Sequence, residues 1–208
     1  MKERIRNTLN FKKPSRIIIV AAVVLAAALT VGLLTKDAAT SNYESREWLD
    51  YYLDEQLPWD DSFELSLPEY PGITFRWTPY EVTAVTSDGE IALLGGMPVW
   101  NVYLADLTDD GLPELCATVS FGSGIVDTRV LVSDYAGGKL YELSDRMIYD
   151  YVLSLENGRL IVTQSEYNGE KLAAGELKVI NGELTAIGID RTRPVSESID
   201  PLRIGAAQ

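Results

Sequence analysis

Residues 17–34, IIIVAAVVLAAALTVGLL, run for eighteen positions without a charge, and Thr30 is their only polar side chain. At about 1.5 Å of rise per residue such a helix is roughly 27 Å long, close to the ~30 Å hydrocarbon core of a bilayer. A helix apolar all round needs lipid or a large core, so this stretch constrains the chain more than any other. Charge divides sharply across it. Residues 1–36 hold seven basic side chains against Glu3 alone, whereas the remainder accounts for nearly all the acidity behind the net −13. Positive flanks of a membrane helix stay in the cytoplasm, which predicts a cytoplasmic N-terminus and an extracellular C-terminal domain at the cell membrane. A cleaved signal peptide ending near Ala38-Ala39 competes with this reading. Lys36 and Asp37 follow the apolar run directly, however, and the hydrophobic region of a signal peptide usually spans only about 7–15 residues. No cysteine lies close behind the run to carry a lipid. The expectation is therefore a single-pass signal anchor, with the bilayer as first partner.

The segment MKERIRNTLNFKKPSR (1–16) reads as a basic juxtamembrane stretch suited to anionic lipid. Residues 17–35 form the transmembrane helix, 36–61 a linker, 62–190 an extracellular all-β domain, and 191–208 a loose tail that gains Pro194 and Pro201. The part beyond the apolar run has room for one domain with its own core. Its acidity argues against nucleic acid as a partner, because phosphate binding needs a basic face. Cys116 is the single cysteine, so no intrachain disulfide exists. It alternates with Leu115 and Ala117 in an apolar run and reads as a small buried residue on a strand.

Within the linker, Ser41 followed three positions later by Glu44 has capping-box form. Trp48, Leu49, Tyr52 and Leu53 fall at helical spacing, which predicts an amphipathic helix over 42–56, ended by Pro58. From Phe63 onward short β-rich runs alternate with turn pairs: Asp88-Gly89, Gly95-Gly96, Gly137-Gly138, Asn157-Gly158, Asn168-Gly169 and Asn181-Gly182. Asn-Gly and Asp-Gly between apolar segments mark hairpins, since type I′ turns need positive φ at both central residues. The predicted strands are 63–67, 73–77, 80–87, 90–94, 99–105, 114–120, 126–134, 139–144, 149–155, 159–166, 176–180 and 183–189. The predicted fold class is mainly β: an antiparallel meander arranged as a sandwich, barrel or propeller-like domain.

Read together, PGITFRW (71–77), MPVWNVYLA (97–105), DLTDDGLPE (106–114), CATVSFGSG (116–124), YDYVLSL (149–155) and RIRNTLNFKKPSR (4–16) resemble one region of a known family. That region is the last membrane helix plus ectodomain of BlaR/MecR-type membrane metallopeptidase-like proteins. The resemblance implies a sensory outer module. The family's zinc peptidase motif, His-Glu-x-x-His, has no counterpart, because the chain contains no histidine. Nor does any serine have lysine three residues later, so the β-lactam-sensing Ser-x-x-Lys is missing too. The resemblance thus implies the outer module without the protease, working with a companion membrane metallopeptidase or another envelope protein in trans. A remnant of a longer membrane peptidase is the alternative.

Asp106, Thr108, Asp110 and Glu114 place oxygen ligands at alternate positions around Gly111, the pattern a calcium loop requires. The segment also resembles the Asp-rich loops of FG-GAP and VCBS-type β repeats. Calcium is a candidate cofactor for this loop, otherwise none; the competing reading is a β-turn in which Asp-Asp-Gly makes Asx-turn bonds. Phe121 and Ser123, in the glycine-rich SFGSG loop, and Trp77 and Trp100, on predicted strands, are candidate ligand contacts, against the alternative of turn and core residues. Without histidine, Ser-His-Asp and Cys-His catalysis are both excluded. The expected function is therefore non-catalytic sensing or binding, with a calcium-stabilised structural envelope protein as the alternative.

Overall fold

Asn157-Gly158 and Asn181-Gly182 adopt positive φ at both positions, 52° and 74° in the first pair and 54° and 79° in the second. They close two-residue hairpins in which Glu156 faces Arg159 and Ile180 faces Glu183. Turns of this kind fold the chain into consecutive antiparallel meanders. The computed structural model describes residues 43–52, 56–122 and 126–191, which form thirteen strands in three sheets. The predicted anchor, the basic segment before it and the tail beyond Arg191 lie outside the described residues. Among the described residues no helix is long and apolar enough to cross a membrane.

The first sheet is β2 (Phe63–Ser66), β3 (Thr74–Trp77), β4 (Glu81–Thr86) and β5 (Gly89–Gly95) in sequence order. The second is β6 (Val99–Ala105), β7 (Glu114–Phe121), β8 (Asp127–Asp134) and β9 (Lys139–Leu143), with β1 (Arg46–Asp50) added at the β6 edge. The third is β10 (Tyr149–Glu156), β11 (Arg159–Glu166), β12 (Lys171–Ile180) and β13 (Glu183–Ile187).

Two cores lie on the two faces of the second sheet. Val102, Leu104, Leu115, Ala117, Val119 and Leu131 pack with Phe75, Trp77, Val82 and Ala84 of the first sheet. Their sequence neighbours Tyr103, Ala105, Cys116, Val130 and Val132 point the other way, onto Tyr151, Leu153, Leu160, Val162 and Leu177 of the third. Successive side chains on a strand point to opposite faces, so a sheet covered on both sides reads as a continuous apolar run rather than an alternation. VWNVYLA and ELCATVSF are runs of that kind. The outer face of the first sheet carries Arg76 paired with Glu90, and that of the third carries Glu176 with Arg159 and Lys178. The stack has three layers.

The third sheet is joined to the second by side chains that satisfy backbone groups on the free edge of β10. Leu153 donates its N–H to Thr118 Oγ1 (2.9 Å), and its carbonyl accepts from Asn101 Nδ2 (3.2 Å). Asn101 Oδ1 accepts in turn from the Thr118 N–H (2.7 Å), and both side chains are fully buried.

Among the described residues the predicted helix over 42–56 is not formed. Residues Arg46–Asp50 are instead the strand β1, antiparallel to β6, with Arg46 opposite Leu104 and Asp50 opposite Asn101. A register shift between Glu47 and Leu49 explains the misreading. A bulge lets neighbouring residues face one side, so Trp48 and Leu49 both join the first core and mimic helical spacing. Pairing with the otherwise open β6 edge outweighs the local helical preference.

Candidate functional site

The register of the β6–β7 pair ends with Ala105 opposite Glu114, so the residues between them form one loop at the end of the central sheet. Two left-handed residues, Asp109 (φ 57°) and Gly111 (φ 87°), turn that loop back sharply. The Asp106 carboxylate accepts the N–H groups of Asp110 (3.1 Å) and Gly111 (2.8 Å), and Asp110 Oδ1 accepts that of Leu112 (2.8 Å). Glu114 Oε2 accepts the Leu107 N–H (2.5 Å) and Oε1 the Thr108 hydroxyl (2.7 Å). Tyr70, from the turn before β3, donates to the Pro113 carbonyl (3.0 Å) and fixes the loop to the first sheet.

These bonds gather carboxylates. One oxygen each from Asp106, Asp110 and Glu114 lies within 4.8 Å of the others, so the cluster can hold a metal ion. Counted from Asp106 as first position, Thr108 and Asp110 are third and fifth and Gly111 sixth. Leu112, whose backbone carbonyl would be the seventh-position ligand, and Glu114 at the ninth complete the order of an oxygen-ligand loop for a hard cation. Oxygen donors without nitrogen or sulfur select calcium-type rather than zinc-type ions. Glu114 is 2% exposed, and burial raises its carboxyl to about 7, against the opposing pull of the Leu107 and Thr108 hydrogen bonds.

The loop sits at the end of the sheet where the chain enters it. Arg46, facing Leu104, is also the partner of Glu69. Burial raises the Tyr43 hydroxyl above its ordinary value, and the nearby Glu69 and Asp106 charges add to the rise.

The other candidate residues lie at the opposite end. Trp77 is 0% exposed and donates its indole N–H to the Val99 carbonyl (3.2 Å); it is a core residue with no face for a ligand. Trp100 is half-buried, donates to Ser120 Oγ (2.7 Å) and meets Tyr52 edge-on. Phe121 is half-buried beneath the Arg129 guanidinium, 4.9 Å from its ring centre. Ser123 lies outside the described residues. The structure therefore unites Asp106, Asp110 and Glu114, with Thr108 bonded to Glu114, and leaves the aromatic candidates in a different place. The open rings at that end are ones the sequence reading passed over, Trp59 (47% exposed) and Tyr80 (49%). Their signal is an aromatic residue directly after proline, in a turn rather than a strand.

No family model matches the chain, and neither a curated protein nor a solved structure does.

Proposed function

We propose that this is a membrane-tethered, non-catalytic binding or sensing protein whose β domain faces the outside of the cell. The loop between β6 and β7 would take up calcium. The convergence of the Asp106, Asp110 and Glu114 oxygens carries the calcium reading; the apolar run at 17–34 and the charge division around it support the membrane tether. Because Arg46 pairs beside the loop, a cation there would stiffen the end of the sheet from which β1 leads back toward the anchor. Any signal would pass to another membrane protein, and the resemblance suggests a companion metallopeptidase.

The calcium reading is tested by melting the full-length chain in detergent with millimolar calcium and with a chelator. We expect a higher Tm in calcium, and no such gain in Asp106→Asn or Asp110→Asn. An unchanged melt would remove calcium from the account. Crosslinking in native membranes tests the relay, with recovery of a membrane metallopeptidase as the expected result. A calcium-stabilised structural envelope protein is the second reading. It is favoured by β1 being paired directly into the central sheet, which fixes Arg46–Asp50 there rather than in a movable helix. Replacing residues 17–34 with an unrelated apolar sequence separates the two, since a relay needs specific helix contacts and a structural tether does not.

A further inference from the structure

Two tight turns meet at the end of the domain opposite the carboxylate loop. In the first, Asp61 N–H bonds to the Pro58 carbonyl (3.2 Å) and presents Trp59 and Asp60 at its tip. In the second, Thr78 Oγ1 accepts the N–H groups of Tyr80 and Glu81 (3.3 and 3.2 Å). The Trp59 and Tyr80 rings stand 5.9 Å apart at an interplanar angle of 45°. Both remain half open to solvent, and Tyr51, Phe63 and Trp77 form a separate aromatic group with ring separations of 5.6–6.3 Å, in which Phe63 is also exposed.

The charge of the two turns has one sign. Asp60, Asp61 and Glu81 are exposed, and neither turn contains lysine or arginine. Arg76, the nearest strand cation by sequence, stands opposite Glu64 and pairs with Glu90. Aromatic faces attract cations through the ring quadrupole, with tryptophan the strongest, and surrounding carboxylates add attraction over the Debye length. Neutral sugars could donate hydrogen bonds to the acids but would gain no net charge attraction from them, and an anionic lipid surface would be repelled.

We infer that Trp59 and Tyr80, with Asp60, Asp61 and Glu81 at their rim, form a docking surface for a cationic, lysine- or arginine-rich peptide segment of a partner protein. The inference rests on the binding role proposed above and names its partner class. The ammonium or guanidinium groups lie over the two rings, and the remaining positive charges face the acidic rim. The surface is separate from the β6–β7 loop, so it works whether or not calcium is bound.

The test is titration of the full-length chain in detergent with an octalysine peptide, monitored by isothermal titration calorimetry, at low and physiological salt and in chelator. Trp59→Leu keeps apolar bulk but removes the ring, and should weaken binding at least about fivefold. Asp60→Asn/Asp61→Asn should weaken it similarly and flatten its salt dependence. Glu170→Gln/Glu183→Gln removes the same charge from exposed positions at the third sheet and should leave binding unchanged. Equal weakening by that distant pair would reduce the effect to general attraction by an acidic protein and overturn the docking surface. Absence of octalysine binding would overturn it too, as would Trp59-dependent binding of an N-acetylglucosamine oligomer or of anionic vesicles in its place. A chain whose melt responds to calcium but which ignores octalysine keeps the calcium loop and loses this inference; the reverse result does the opposite.

Discussion

Asn101 and Thr118 show how single polar residues specify this fold. Both are fully buried between apolar layers, yet they satisfy the Leu153 N–H and carbonyl across two sheets. Unpaired buried backbone groups cost about 1–3 kcal/mol each. Asn101→Ala strands both the Leu153 carbonyl and the Thr118 N–H, and should destabilise the domain by about 2–4 kcal/mol in denaturant unfolding. Gly175 makes a steric argument of a different kind. A Cβ there would stand 2.4 Å from the Ile187 carbonyl oxygen on β13. Gly175→Ala should therefore cost about 1–3 kcal/mol, the usual range for overpacking, and lower the Tm correspondingly. Cys116 is 0% exposed, and burial pushes its thiol well above the ordinary value. It should resist a thiol reagent until the domain unfolds. The burial of Cys116 was legible from its apolar neighbours. Trp77 was less so: a tryptophan on a strand stacks on a ligand or fills a core according to which face is covered, and local sequence does not say which.

At the scale of elements, strands punctuated by Asn-Gly and Asp-Gly were legible nearly to the residue, because the turn chemistry fixes both ends of each hairpin. Two elements were not. The first half of β12, KLAAG, lacks β-branched residues, yet it pairs with β11 from Ser165 to Val162. Tertiary pairing overrides weak propensity. β1 was read as a helix because the bulge near Trp48 hides the period of two. Its role yields a prediction of its own. β1 covers the β6 edge, and Leu49 opposite Val102 seals the first core. An open, largely apolar edge is a template for intermolecular pairing. A chain shortened to begin after Asp50 should self-associate, visible as a shift to larger species on size-exclusion chromatography, while the intact chain elutes as a discrete species.

For the whole molecule, the three-layer stack makes stability depend on where carboxylates are held, and two of them pull in opposite directions. Asp145 accepts two bonds from Arg191 (3.0 Å each) and one from the Tyr151 hydroxyl. Burial raises its carboxyl, but the Arg191 and Tyr151 bonds outweigh burial and hold it below the usual 3.8. A lowered folded value means that its stabilisation is present above 3.8 and is lost as pH falls through the still lower folded value. Glu114 has the opposite sign. Its folded value, about 7 against an ordinary 4.5, means that the folded domain binds this proton more tightly than the unfolded chain. In chelator, Glu114 should therefore make the domain more stable as pH falls from about 7 to 4.5. Below 3.8 stability should decline as the Asp145–Arg191 pair is lost. Calcium would coordinate the ionised Glu114 and hold it charged, so the rise between pH 7 and 4.5 should shrink when calcium is present. Chemical denaturation across pH, with and without chelator, reads both limbs. Glu114→Gln should abolish the first limb and its calcium dependence together, and leave the acid limb in place. Loss of the first limb without loss of the calcium response would separate the buried carboxyl from the cation and move the ion onto Asp106 and Asp110 alone.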